Sequence, residues 1–202
     1  MKHILIGSIL LFFSFLSWGQ STKRNHEVTV TSSQFTIEGS TNVNKFNCSL
    51  EEHIPSDTLE IRSTWNNSRI TFENLILSYP VKDFDCGIAA MNQDMQSLMK
   101  SEDYPTMSLH IEDIDLKDKQ EAIETLYVTS KVKLTIANVT REVSIKDGIV
   151  TNHSESSLTF SGTVDINMKD FQMEPPVKFW GMVQVNEKLT VRFAVRMEVK
   201  NL

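Results

Sequence analysis

Leu126-Tyr127-Val128-Thr129-Ser130-Lys131-Val132-Lys133-Leu134-Thr135-Ile136-Ala137-Asn138 decides the fold. Leu126, Val128, Val132, Leu134 and Ile136 fall at every second position, with Ser130 keeping the count, so one face is apolar and the other polar. Successive side chains of an extended chain point to opposite faces, so this pattern belongs to a strand with one face in a core. Ala137-Asn138 supplies the turn, because asparagine tolerates the left-handed backbone that tight hairpins need. Val143 and Ile145 then open the return strand.

The same rhythm extends outward in both directions. Upstream it runs from Glu27 through Val28, Val30, Phe35, Ile37 and Gly39, then through Val43, Phe46 and Cys48 after the turn-like Ser40-Thr41-Asn42. Leu59 and Ile61 form another strand, ended by Asn66-Asn67-Ser68, and Ile70 and Phe72 begin the next. Leu75, Leu77 and Tyr79 continue it on the opposite parity, which predicts a bulge or bend at Glu73-Asn74. Val81 to Ala90 reads as loop, Met107, Leu109 and Ile111 as a strand, and the charged run Glu112 to Glu124 as a surface connection. Downstream come Leu158 to Met168 and, past the Pro175-Pro176 interruption, Leu189 to Val199.

One segment breaks the rhythm. Met91, Met95, Leu98 and Met99 fall at i, i+4, i+7 and i+8, which predicts a helix over Met91 to Lys100, stopped by Tyr104-Pro105. Short alternating strands around one Met-rich helix predict an all-β, lipocalin-like antiparallel barrel, since closure removes exposed sheet edges. A barrel of about eight strands is either filled by side chains or holds one small ligand.

Composition narrows the class. The chain has 202 residues and a formal net charge of −6, with no basic cluster, so nucleic acid is not expected as a partner. Met1-Lys2-His3, the apolar run Ile4 to Leu16 and the small residues of Ser17-Trp18-Gly19 read as a secretory signal peptide cut after Gly19. Residues 20–202 remain as one domain, placed in the periplasm or outside the cell, with membrane contact at most transient. In an exported chain the pair Cys48 and Cys86 reads as a disulfide.

Catalytic signals are weak. His26, His53, His110 and His153 are scattered without metal-ligand spacing, so no metal is expected. There is no phosphate-binding glycine loop and no nucleophile elbow, and Asp83 and Asp85 read as solvated loop charge. The apolar inventory says more. Methionine is flexible and polarizable, so Met91, Met95, Met99, Met107, Met168, Met173 and Met182 suit an irregular core or a pocket for varied apolar ligands. The helix reads as a lid or plug over the barrel lumen. The Phe171 to Gly181 stretch, with Phe179 and Trp180, adds a second apolar cluster near a barrel mouth.

Several ordered blocks carry a resemblance. They are Gly39-Ser40-Thr41-Asn42-Val43 with Phe46 and Cys48, Met91 through Met99 with Tyr104-Pro105, Leu134-Thr135-Ile136 with Val139-Thr140 and Val143, and Gly162-Thr163-Val164 leading to Met168, Asp170-Phe171 and Pro175-Pro176. From Gln34 onward the chain resembles the YceI-like family of exported bacterial proteins, and the Cys-bearing block is most similar to Bacteroidetes-type members. The resemblance implies a lipocalin-like barrel around a long apolar tunnel that holds a polyisoprenoid chain such as an isoprenoid quinone. It departs at Thr31-Ser32-Ser33-Gln34-Phe35, where many relatives carry Asp-Pro-x-His-Ser, and at Asn138, where a glycine is expected.

The function expected is therefore an exported binding protein, not an enzyme, that holds an isoprenoid-type lipid or quinone without a cofactor as carrier or store. A lipid-modifying enzyme and a ligand-free structural or stress-related barrel are the alternatives. The expected lining is Phe46, Met95, Leu98, Met99, Met107, Met168, Phe171, Trp180 and Phe193. The oligomeric state stays open, a dimer included.

Overall fold

The computed structural model describes residues 24–54, 60–66, 68–117, 125–175, 177–178 and 182–201. The expected leader Met1–Gly19 lies outside them, as do Leu59, Phe179 and Trp180. Thirteen strands are β1 Arg24–Ser40, β2 Lys45–His53, β3 Glu60–Trp65, β4 Arg69–Pro80, β5 Thr106–Leu116, β6 Thr125–Thr129, β7 Lys131–Ile136, β8 Val139–Ser144, β9 Lys146–Ser154, β10 Ser157–Asn167, β11 Val177–Lys178, β12 Val183–Gln184 and β13 Lys188–Asn201. One α-helix, α1, spans Ala89–Leu98.

Hydrogen-bonded neighbours run β4-β3-β1-β13-β10-β9-β6-β5, and β5 pairs again with β4. The path returns to its start, so the sheet is a closed antiparallel barrel. Alternation drives this: on β1, Val28, Val30, Phe35 and Ile37 are buried and alternate with more exposed residues, the register shift between Val30 and Ser32 turning Ser33 inward as well.

The two ends of the barrel differ. At one end β1 pairs with β3 from Arg24 to Thr29, and the ring of eight strands is complete. His26 and Trp65 stack there with ring centroids 4.5 Å apart. At the other end β1 pairs with β2 from Ser33 to Ser40, and β5 pairs with the β7–β8 hairpin. The outer edge of β2 meets a loop instead of a strand: Ser49 and Asp85 exchange backbone hydrogen bonds of 2.8 and 2.9 Å. The Cys48–Cys86 disulfide fastens the same place, with Cα atoms 4.0 Å apart. That loop leads directly into α1.

The expected bend in β4 is present. Asn74 has φ 59° and the β4–β5 register shifts between Thr71 and Leu75, which lets Phe72 and Leu75 both face inward. At the β7–β8 turn Ala137 and Asn138 both take positive φ, 47° and 63°. Three sequence expectations need correction. The Leu126–Ile136 run is two strands, because Ser130 leaves the ladder: its hydroxyl donates to the Asp113 carbonyl at 2.5 Å and its carbonyl accepts from Ile145 N–H. Strand β5 continues through the charged run to Leu116; Glu112-Asp113 together mask the alternation, while Ile114 still faces the core. Val81 to Ala90 holds a 3₁₀ turn at Val81–Asp83, and the helix begins at Ala89.

Candidate functional site: an apolar cavity beneath the helix

The loop before α1 is held by its own polar atoms. Asp85 accepts from the Gly87 N–H at 2.9 Å and from the Asn92 amide at 3.2 Å, while the Asn92 side-chain oxygen accepts from the Cys86 N–H at 2.7 Å. The Gly87 N–H, then Asn92, hold the Asp85 carboxyl below its usual range. Gly87 has φ +87°, a conformation that favours glycine. Asp85 is therefore a bracket for the helix start as well as a surface charge. At the far end Lys100 turns left-handed at φ 53°, and Ser101 N–H reaches back to the Gln96 carbonyl, which stops the helix before Tyr104-Pro105.

Held this way, α1 lays its apolar stripe over the loosened end of the barrel. Met91, Met95, Leu98 and Met99 all line a cavity of about 310 Å³. The strands supply Ile37, Phe46, Cys48, Ile136, Ile166 and Leu189, each at an inward position near the same end. Met168 and Met173, around the turn after β10, and Val183 and Val185 complete the apolar wall. Five methionine side chains thus border one space, and Cys86 Sγ lies 3.5 Å from Met95 Sδ. Thr41, Asn44 and Asp94 are the polar members of the wall, beside Val43, which is 68% exposed and marks the mouth.

Among the expected lining residues, Phe46, Met95, Leu98, Met99 and Met168 border this cavity. Met107, Phe171 and Phe193 do not; all three are buried in packed core. Met107 pairs with Tyr79 across β4 and β5, Phe171 closes the 3₁₀ turn after β10, and Phe193 stacks edge-on against Phe160 at 5.4 Å. Trp180 lies outside the described residues. Ile37, Ile136, Ile166 and Leu189 were not expected. Each is an inward-facing residue close to the end of its strand, and parity together with strand end was the partial signal for them.

The wall's geometry depends on a small residue. A side chain at Gly39 would put its Cβ 2.3 Å from Phe46 Cζ and 2.8 Å from Leu189 Cδ2, so the absence of one lets the Phe46 ring and Leu189 close over β1 at that point. Below the cavity the polar content is low. Burial pushes the Tyr79 hydroxyl up to about 12, and that hydroxyl makes no hydrogen bond of good geometry. Among the described residues no three His, Cys, Asp or Glu side chains gather as a metal site. Chemically, the cavity can shelter an apolar chain and offer hydroxyl, amide and carboxylate groups at its mouth.

A model of the YceI-like domain matches residues 21–197. The chain belongs to the YceI-like family. A polyisoprenoid binding domain from Saccharophagus degradans, implicated in plant cell wall breakdown, shares its fold at a TM-score of 0.56 and 12% identity, covering 87% of this chain and 98% of that one. A Campylobacter jejuni YceI protein gives a TM-score of 0.50 at 15% identity, covering 64% of this chain and 74% of that one. No protein of curated function matches the chain. The YceI-like fold so established agrees with the antiparallel barrel expected from alternation. In this YceI-like chain the methionine-walled cavity lies at the end roofed by α1.

Proposed function

We propose that this chain is an exported protein that binds an amphiphilic, isoprenoid-like lipid, as carrier or store, and has no catalytic role. The observation that carries the reading is the cavity under α1, walled by five methionines and by aliphatic side chains from five strands. Flexible thioethers suit a branched apolar chain, because they repack around irregular shapes at little cost. Family membership and the polyisoprenoid binding of the Saccharophagus degradans domain support the same ligand class. The leader Met1–Gly19 and the disulfide support export, since a disulfide persists in an oxidising compartment.

In this reading the chain enters the cavity and the head group, a quinone ring or a hydroxyl, rests near Thr41, Asn44 and Asp94. At roughly 30 Å³ per water-sized group, the cavity holds on the order of ten carbon atoms. At about 0.8 kcal/mol per buried methylene, that is about 8 kcal/mol of apolar driving force, so the chain alone can support at most near-micromolar binding.

Native mass spectrometry of the protein recovered from its own organism tests the reading. The expected result is a second species heavier by the mass of one isoprenoid lipid, lost on solvent extraction and restored by added farnesol. A bare mass, together with no uptake of farnesol, would overturn it.

A further inference from the structure

Resting on that reading, the layer beneath the cavity specifies how much of a chain can enter. On β1, β7, β10 and β13 the wall is made by Ile37, Ile136, Ile166 and Leu189, with Cys48 of β2 beside Ile37. Alternate residues share a face, so the next inward positions are Phe35 on β1, Leu134 on β7, Val164 on β10 and Val191 on β13. All four are at most 2% exposed, and none borders the cavity. Phe35 is the largest of them and is held on two sides, by Tyr79 with centroids 4.8 Å apart and edge-on by Phe84 at 5.8 Å.

At the level of Phe35 the side chains meet, since Phe35 pairs with Phe193 across β1 and β13, and Phe193 with Gly162 across β13 and β10. A Cβ at Gly162 would fall 2.4 Å from Ile145 Cγ2 and 3.2 Å from Phe193 Cζ, so those two side chains already fill the space in front of the glycine. Phe193 in turn touches Phe160 edge-on at 5.4 Å. A long tunnel is implied by family resemblance, whereas here the hollow part ends on a plate of aromatic and branched side chains.

We propose that Phe35, braced by Tyr79 and Phe84, is the floor that sets chain length, so that about two isoprene units are buried and any longer chain projects from the mouth. Phe35 is then a specificity-determining residue. Its ring excludes further carbons by occupying the space they would need, and its neighbours keep it from swinging aside.

The test is equilibrium binding of prenol, geraniol, farnesol and geranylgeraniol, each one isoprene unit longer than the last, to the full chain. From prenol to geraniol the affinity should rise by about tenfold or more, because the added unit is buried. From geraniol to geranylgeraniol it should change by less than about threefold, because added carbons stay in solvent or lie along the rim. In Phe35→Ala, or in the milder Phe35→Val if the first does not fold, the plateau should move to farnesol. A steady tenfold rise through geranylgeraniol in the unaltered protein would overturn the floor while leaving lipid binding intact. A plateau unmoved in a folded Phe35 variant would overturn the assignment to Phe35. No binding of any alcohol would instead sink the lipid reading itself.

Discussion

The two ends of this barrel are made from the same strands with the same alternation, and they solve the problem of the interior differently. Where β3 sits beside β1, the ring is complete, and Val28, Ile61, Ile70, Ile114, Leu158 and Met197 are buried in it. Where β2 takes that place, the ring is left to a loop, a disulfide and a ten-residue helix. Strands bring stiff, branched side chains at fixed spacing, whereas the helix brings methionines that need not meet anything. Hollowness here follows from replacing one wall of a closed sheet by a roof. The strands keep the barrel rigid, and the roof makes room.

Substitutions should separate the two ends. Phe160→Ala, in the filled part, should cost about 3–5 kcal/mol by denaturant unfolding, because its contacts come from all sides. Met99→Ala, facing the cavity, should cost about 2 kcal/mol, near the low end for buried methionine, and should weaken prenyl alcohol binding more than Phe160→Ala does in the folded fraction. Equal stability losses with unchanged binding in both would erase the contrast.

Next in size is the disulfide. Replacing Cys48 and Cys86 together by serine should lower stability by about 2–4 kcal/mol. The loss should be local first: amide exchange at Gly87 to Met99 should accelerate before exchange in β10 or β13. Uniform acceleration around the barrel would mean that the roof and wall are not separable.

A smaller pair of changes probes the close approaches at glycine. Gly162→Ala should cost about 1–3 kcal/mol, since Ile145 and Phe193 have nowhere to go. Gly39→Ala should cost less, because the Phe46 ring and Leu189 can shift into the cavity, but it should shrink that space and lower affinity for geraniol. Unchanged geraniol binding in folded Gly39→Ala would show that Phe46 does not shape the site.

The least effect is expected from acid. Lys133 holds Glu112 below its usual range, Lys146 does so for Asp165, and the Gly87 N–H does so for Asp85. A carboxylate depressed in the folded state stabilises above its unfolded pKa and loses that contribution as pH falls through the lower folded value. The melting temperature should therefore be flat from pH 7 down to about pH 5 and decline below about pH 4.5. The groups are exposed, so the decline should be shallow and weakened by salt. A melting temperature that climbs as pH drops below about 4.5 would contradict this sign.

Much of this was legible in the sequence because alternation fixes which face a strand residue takes. The β4 parity switch at Asn74, the Ala137-Asn138 turn and the Met91-Met95-Leu98-Met99 stripe each follow from spacing alone. Depth along the barrel does not. Met107 and Phe193 face inward as their parity requires, but whether an inward residue meets the cavity depends on how far along its strand it stands, as for Phe193, and on which side of the barrel the strand lies, as for Met107 on β5 opposite Tyr79. That distance is set by register, which alternation does not encode. Ser130 shows another limit: a polar residue that keeps the count can still break a strand by hydrogen-bonding across to Asp113.

The most direct measurement uses the methionines as reporters. With ¹³C-labelled methyl groups, addition of geraniol should shift Met95, Met99, Met168 and Met173, which border the cavity, and leave Met107 and Met197 in place. Shifts at Met197 as large as those at Met99, or none at any methionine under saturating geraniol, would contradict a binding site confined to the helix-roofed end.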